Sequence, residues 1–278
     1  MTRRDITLPA GRLEAASWGP SSDSAPTLVL LHEGLGSVEL WRDFPERLVA
    51  ATGCGVFAWS RFGYGRSDTV TLPRPLDYMQ REAIEVLPQV LDAAGVRRCV
   101  LVGHSDGASI AAIHAGRIGD DRVRGLVLMS PHFFAEDLCL TSIAAIRRDY
   151  DNGLRARLAR YHDDVDATFL GWADAWLDPG FPTAFDLAAD VARINVPTLI
   201  LQGENDPYGT IAHARLAERL LPDRVRTVLL PARHAPHLEA TETSVTEIAA
   251  LATTVTASHP RTPSATPTPA SRAPAAPP

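Results

Sequence analysis

The stretch Val100-Leu-Val-Gly-His-Ser-Asp-Gly-Ala-Ser109 decides the fold, because a β-branched run leads Gly-His-Ser-Asp-Gly straight into small residues of helical character. A serine between Gly103 and Gly107 can occupy a sharp strand-to-helix turn. There the glycines let neighbouring backbone come close and the hydroxyl projects into a cleft. Chance also supplies G-x-S-x-G, so Ser105 becomes a candidate nucleophile only if a base and an orienting acid stand where they can reach it.

Outward from this turn, short apolar runs alternate with longer amphipathic segments, the pattern of a mostly parallel sheet covered by helices. Strands are expected at Thr27 to Leu31, Val56 to Ser60, Cys99 to Val102, Gly125 to Met129, Thr198 to Gln202 and Arg226 to Leu230. A hairpin from Ile6 to Trp18, turned near Ala10-Gly11, is expected at the sheet edge. Helices are expected at Leu40 to Thr52, Asp77 to Ala94, Ala108 to Arg117, His213 to Leu221 and Glu239 to Thr253. The alternation breaks between Pro131 and Asn195, an interval too long for a structureless loop and helical in pattern. It reads as a small helical lid, 131–195, inserted into an α/β core formed by 1–130 and 196–256. Of its aromatic residues, Phe133, Phe134, Trp172 and Trp176 are candidates to line an apolar pocket, although aromatics also carry much of ordinary core burial. His162, with Asp163, Asp164 and Asp166 beside it, is either part of a solvated helix face or a further pocket residue.

Two later strand ends offer partners for Ser105. Asp206 lies in Leu201-Gln-Gly-Glu-Asn-Asp-Pro-Tyr-Gly209 and His234 in Leu230-Pro-Ala-Arg-His-Ala-Pro-His-Leu238. In an open α/β sheet, sites form outside the carboxyl ends of the strands, so all three residues are expected around one cleft. Their chain order, Ser, Asp, His, and these motifs resemble the α/β-hydrolase superfamily, from the hairpin to about Thr253. The resemblance implies an eight-stranded, mostly parallel sheet with the lid entering after the sixth strand. Leu30-Leu-His-Glu-Gly-Leu-Gly-Ser37 is similar to the family's His-Gly segment, where a backbone amide completes an oxyanion hole. Ser60-Arg-Phe-Gly-Tyr-Gly-Arg-Ser-Asp68 is similar to its glycine-rich loop after the next strand.

On this resemblance Ser105, Asp206 and His234 form the catalytic triad. His237 is the rival base, but the family pattern puts the imidazole before the Ala-Pro step; Glu204 is the rival acid, but Asp206 has the Gly-x-x-Asp spacing from Gly203. The amides of Asp106 and Gly34 are the implied oxyanion donors. The glycines bracket Ser105 rather than Asp106, which argues against the Asp-nucleophile branch of epoxide hydrolases and haloalkane dehalogenases. Two departures stand out. Glu33 interrupts the usual His-Gly pair after His32, and Asp106 puts a second acid beside a site meant for an anion. Arg61 and Arg66 are the natural counterions, and either a Glu33–Arg61 pair forms or both groups are solvated.

Composition bounds the rest. The 278 residues carry a formal charge of −6 with the signs interspersed, which disfavours nucleic acid or an acidic membrane as partner. All 27 basic residues are arginine, excluding a Schiff-base or P-loop lysine. Cys54, Cys99 and Cys139 fit neither a disulfide framework nor a zinc site, and no metal or other cofactor is expected. Without an apolar leader or a span-length segment, the chain is expected to be cytoplasmic, monomeric or homodimeric, and to act on a small molecule. Residues 257–278, rich in Pro, Ala and Thr, are expected to be a disordered tail. The leading functional expectation is a serine hydrolase of a small ester, thioester or related activated carbonyl. C–C hydrolysis of a ring-cleavage product and non-catalytic ligand binding are the alternatives, since fold and triad alone do not separate them.

Overall fold

Residues 1–20 and 27–257 are described by the structure, a computed structural model; the expected tail from residue 258 onward lies outside them. Eight strands form one sheet: β1 Thr2–Leu8, β2 Gly11–Trp18, β3 Thr27–Leu31, β4 Gly55–Trp59, β5 Cys99–His104, β6 Val123–Met129, β7 Thr198–Gly203 and β8 Val225–Leu230. Their spatial order is β1-β2-β4-β3-β5-β6-β7-β8. The β1–β2 hairpin and the β2–β4 pairing are antiparallel, and every other pairing is parallel.

Burial on both faces explains why the central strands are continuous apolar runs rather than alternating ones. Val29, Leu101, Leu126, Leu128 and Ile200 face one layer of helices, while Leu28, Leu30, Val100, Val102 and Leu199 face the other. The expected helix from Leu40 to Thr52 is interrupted. A 3₁₀ turn, Val38–Trp41, ends at Arg42 with φ 54°, and the α-helix Phe44–Thr52 starts afresh with Pro45 in its first turn. The expected helix from Glu239 also splits, into Pro236–Glu239 and Thr241–Ala257.

Between β6 and β7 the chain forms the helices Asp137–Arg148 and Val165–Leu177 with several shorter helical turns. Their aromatic residues pack mainly on one another: Tyr150 stacks on Phe169 at 4.0 Å, and Trp176, Phe181 and Phe185 form a second cluster. The start of this insert is tied to the β7 side of the core by Glu136. Its carboxylate accepts from the Thr210 amide at 2.8 Å and the Thr210 hydroxyl at 2.6 Å, and lies 2.9 Å from His213 Nε2. Burial raises the Glu136 pKa, but these contacts outweigh it and bring the carboxyl down to about 2 from 4.5. A depressed carboxylate stabilises the fold fully above its unfolded value and loses that contribution as pH falls through the folded one. The urea midpoint of Glu136→Gln should therefore lie below that of the wild type at pH 7. The gap should close between about pH 4.5 and 2; an equal gap at both ends of that window would contradict this account.

Candidate active site

The turn after β5 departs from ordinary backbone geometry as the sequence requires. Ser105 stands at φ 52° and ψ −118°, immediately before the helix Asp106–Arg117. A non-glycine residue held there stores strain of order 1–3 kcal/mol. The flanking glycines permit it: a Cβ on Gly103 would come 2.3 Å from the Gly107 carbonyl oxygen, and one on Gly107 would come 2.0 Å from that of Leu31. Close approach of three backbone segments, rather than flexibility, accounts for both.

Ser105 and His234 line one cavity of about 240 Å³, together with Glu33, Gly34 and Asp106. His234 Nδ1 lies 2.8 and 2.9 Å from the two oxygens of Asp206. Asp206 Oδ1 also accepts from the amides of Tyr208 at 2.8 Å and Gly209 at 3.2 Å, and Oδ2 from Gln202 Nε2 at 3.1 Å. Burial alone would raise the Asp206 pKa; the His234 hydrogen bond and charge, with the Tyr208 amide, hold it well below the usual carboxylate range. Asp206 is thus an ionised acceptor that fixes one edge of the imidazole, leaving Nε2 as the other edge. The rival residues are placed elsewhere. His237 is buried against Trp41, Phe44 and His104, and Glu204 is exposed.

The two acids that made this site electrostatically odd have separate partners. Glu33 Oε2 lies 3.5 Å from His104 Nδ1, while His104 Nε2 donates to the His234 carbonyl at 2.7 Å. Burial pushes the Glu33 pKa up, but His104 outweighs it and keeps the carboxyl ionised. Asp106 Oδ2 accepts a 2.6 Å hydrogen bond from Tyr78, whose hydroxyl in turn accepts from Trp176 Nε1 at 3.0 Å. Burial raises the Asp106 pKa against the opposing pull of Arg61, Tyr78 and Trp172.

The Glu33–Arg61 side-chain pair does not form. Arg61 instead donates to the backbone carbonyls of His32 at 2.5 Å and Glu33 at 3.1 Å, and its charge faces Asp106 Oδ2 at 3.8 Å. The reason is reach and competition: His104 already occupies the Glu33 carboxylate, and the carbonyls of the turn lie closer to the guanidinium. Arg66 goes to the surface, where it pairs with Asp163. His32 donates from Nδ1 to the Glu33 carbonyl at 2.7 Å and accepts the Arg61 amide on Nε2 at 3.0 Å, so it joins two loops and does not line the cavity. Arg61 is almost fully buried, and removing it takes one donor from each of the His32 and Glu33 carbonyls and the facing positive charge from the buried Asp106 carboxylate. We expect Arg61→Met to lower the unfolding free energy by about 3 kcal/mol, with Asp106→Asn in the same chain restoring part of it. Denaturant unfolding of the two single variants and the double variant checks this; additive losses would remove Asp106 from the account.

Trp172 and Trp176 line the cavity, whereas Phe133, Phe134 and His162 do not. Phe133 is fully buried in the core, and its amide donates to His213 Nδ1 at 3.2 Å; Phe134 packs on the His213 ring at 4.3 Å. His162 accepts the Gly65 amide on Nδ1 at 2.9 Å and donates from Nε2 to the Leu35 carbonyl at 3.0 Å, so it fastens the insert to the glycine-rich loop. The acids beside it have separate partners, with Asp164 capping the helix Val165–Leu177 through the Ala167 amide and Asp166 pairing with Arg155. Sequence reasoning missed His104, Cys139, Ile143, Ile146 and Tyr208 on the cavity wall and Tyr78 behind it. Only His104, next to Ser105, and Tyr208, two residues after Asp206, carried a positional signal.

A profile of the alpha/beta hydrolase family matches residues 28–247. Over 124 residues the chain is 32% identical to epoxide hydrolase B of Mycobacterium tuberculosis H37Rv, a match covering 44% of this chain and 33% of that protein. The chain thus spans about a third of the length of that curated relative. Among solved structures, the enol-lactonase of Burkholderia xenovorans LB400 superposes with a TM-score of 0.70 at 20% identity, over 90% of this chain and 100% of that one. A thermophilic esterase from Thermogutta terrifontis gives 0.69 at 20% identity, over 92% and 99%. At such identities the likeness is one of fold. With the profile spanning most of the chain and the sheet order and strand-end site described above, the protein belongs to the alpha/beta hydrolase family.

Proposed function

We propose that the protein is a serine hydrolase that cleaves a small ester, thioester or related activated carbonyl through an acyl-enzyme on Ser105. The single observation that carries this reading is the strained Ser105 sharing a cavity with His234, whose ring is held by the ionised Asp206. In this mechanism His234 Nε2 takes the Ser105 hydroxyl proton as Oγ attacks the carbonyl carbon, and Asp206 stabilises the imidazolium that forms. The oxyanion accepts from the amide of Asp106, the first of its helix and therefore without an intrahelical partner, and from the amide of Gly34. Arg61 acts as a positioning residue, since drawing the His32 and Glu33 carbonyls inward sets the orientation of the Gly34 amide. Protonated His234 then delivers its proton to the leaving group, and water releases the acyl group by the same steps in reverse.

Insert residues 131–195 act as a lid in this reading, because Trp172, Trp176, Ile143 and Ile146 close the cavity over the nucleophile. The volume suits a small acyl group rather than a long lipid chain. The partial likeness to epoxide hydrolase B does not carry its activity here, because the residue at the strained turn is Ser105 and the Asp106 side chain is turned toward Tyr78. Fluorophosphonate labelling tests the proposal: the wild type should be labelled at Ser105 and hydrolyse chromogenic short-chain esters. A folded wild type that is neither labelled nor active would overturn it.

A further inference from the structure

The imidazole of His104 is buried beside the nucleophile and takes no part in the steps above. It is 3% exposed and ends β5, directly before Ser105. Its Nε2 donates to the main-chain carbonyl of His234 at 2.7 Å. Its ring centre lies 5.1 Å from that of His234 and 4.8 Å from that of His237, so the segment 234–237 bends around it. Glu33 Oε2 faces the other ring nitrogen, Nδ1, at 3.5 Å. Gly36 leaves room for this carboxylate: its amide closes the turn on the Glu33 carbonyl at 3.1 Å, and a Cβ on Gly36 would fall 2.5 Å from Glu33 Oε2.

His234 lies on the irregular segment 231–235, between β8 and the short helix Pro236–Glu239. Asp206 grips its imidazole at Nδ1, and a ring held at one edge can still hinge about that contact when its backbone moves. Pinning the carbonyl of the same residue removes the hinge. The pin comes from the residue next to Ser105, so any shift at the end of β5 carries nucleophile and base together. Because a misplacement of about 1 Å costs about 10²-fold in rate, a base on an irregular segment gains much from such a tie.

We propose that His104 is a positioning residue that sets His234 against Ser105, and that Glu33 acts through it by holding the His104 ring in place. The proposal rests on the serine hydrolase reading and adds to it a second support for the base, through the main chain. It also gives the acid that interrupts the His-Gly pair a task. Glu33 neighbours the proposed oxyanion donor Gly34 in the chain, while its carboxylate serves the opposite, base side of the site.

The test uses His104→Phe, which keeps a ring and loses the donor, and His104→Gln, whose side-chain amide puts an N–H near the position of Nε2. Turnover of p-nitrophenyl butanoate is counted per Ser105 titrated with a fluorophosphonate, so that loss of folded protein does not enter kcat. His104→Phe should lower kcat about 10²-fold and leave KM within about threefold, because His234 serves acylation and deacylation alike. His104→Gln should recover at least about tenfold of that loss. Glu33→Gln should lower kcat about three- to tenfold in the wild type and cause no further loss in His104→Phe, since it acts through that ring. A kcat within threefold of wild type in folded His104→Phe overturns the proposal, as does a His104→Gln no faster than His104→Phe, or a loss that falls on KM instead of kcat. Equal Glu33→Gln losses in both backgrounds overturn the part given to Glu33. Labelling separates the two levels: a labelled, active wild type beside an unimpaired His104→Phe removes the positioning role alone, whereas a folded wild type neither labelled nor active removes the hydrolase reading and this inference with it.

Discussion

Ser105→Ala is expected to lose ester hydrolysis by about 10⁴-fold or more and to lose fluorophosphonate labelling entirely, while the protein stays folded. The size of the effect follows from the chemistry: the substitution removes the only atom that forms the covalent intermediate, and leaves water to attack within the same oxyanion site. Binding and oxyanion stabilisation then supply whatever rate remains. Stability should barely change. The alanine keeps the Cβ that already tolerates φ 52°, and the Ser105 amide keeps its 2.9 Å bond to the Met129 carbonyl. Turnover on p-nitrophenyl esters and thermal unfolding, measured on the same preparation, check both halves. A folded Ser105→Ala that retained a tenth of wild-type turnover would sink the proposed nucleophile.

Asp206→Asn is expected to reduce kcat by about 10⁴-fold with little change in binding. The local hydrogen bonds predict how. The amides of Tyr208 and Gly209 both donate to Oδ1, so an asparagine places its carbonyl oxygen there and its NH₂ where Oδ2 was. That NH₂ donates to His234 Nδ1, which must then accept, so the ring proton moves to Nε2. An imidazole protonated on Nε2 cannot take the Ser105 proton. The same NH₂ meets Gln202 Nε2, a donor, at the position where Oδ2 had accepted at 3.1 Å, so a modest loss of stability should accompany the loss of rate. Because the Asp206 carboxyl titrates well below its usual range in the fold, its stabilising contribution in the wild type is complete at neutral pH and fades only in strong acid. The variant should lack that acid-dependent component. Steady-state kinetics and a urea series at pH 7 and pH 3 check the two consequences, and a kcat within tenfold of wild type would remove Asp206 from its proposed role.

Much of this architecture was legible in the chain. The run Cys99–His104 is buried at every position, and such continuous β-branched runs identify central parallel strands without knowledge of their neighbours. The two glycines around Ser105 likewise report a local requirement, because their close contacts lie with backbone that the strand order brings there. Aromatic residues in the insert were less legible. Trp172 and Phe169 sit three residues apart on one helix, yet Trp172 reaches the cavity and Phe169 stacks on Tyr150. Helical periodicity marks both as inward-facing and cannot distinguish a packed interior from an open one.

The sequence by itself determined the strand alternation, the strained turn and the candidates Asp206 and His234, because each depends on residue types within a few positions of a strand end. Tertiary structure decided the electrostatics around Ser105. Glu33 answers to His104, Asp106 to Tyr78 and Arg61, and Arg61 to the carbonyls of a turn nearly thirty residues earlier. A charge's partner is set by distance and burial in three dimensions, and spacing along the chain encodes neither.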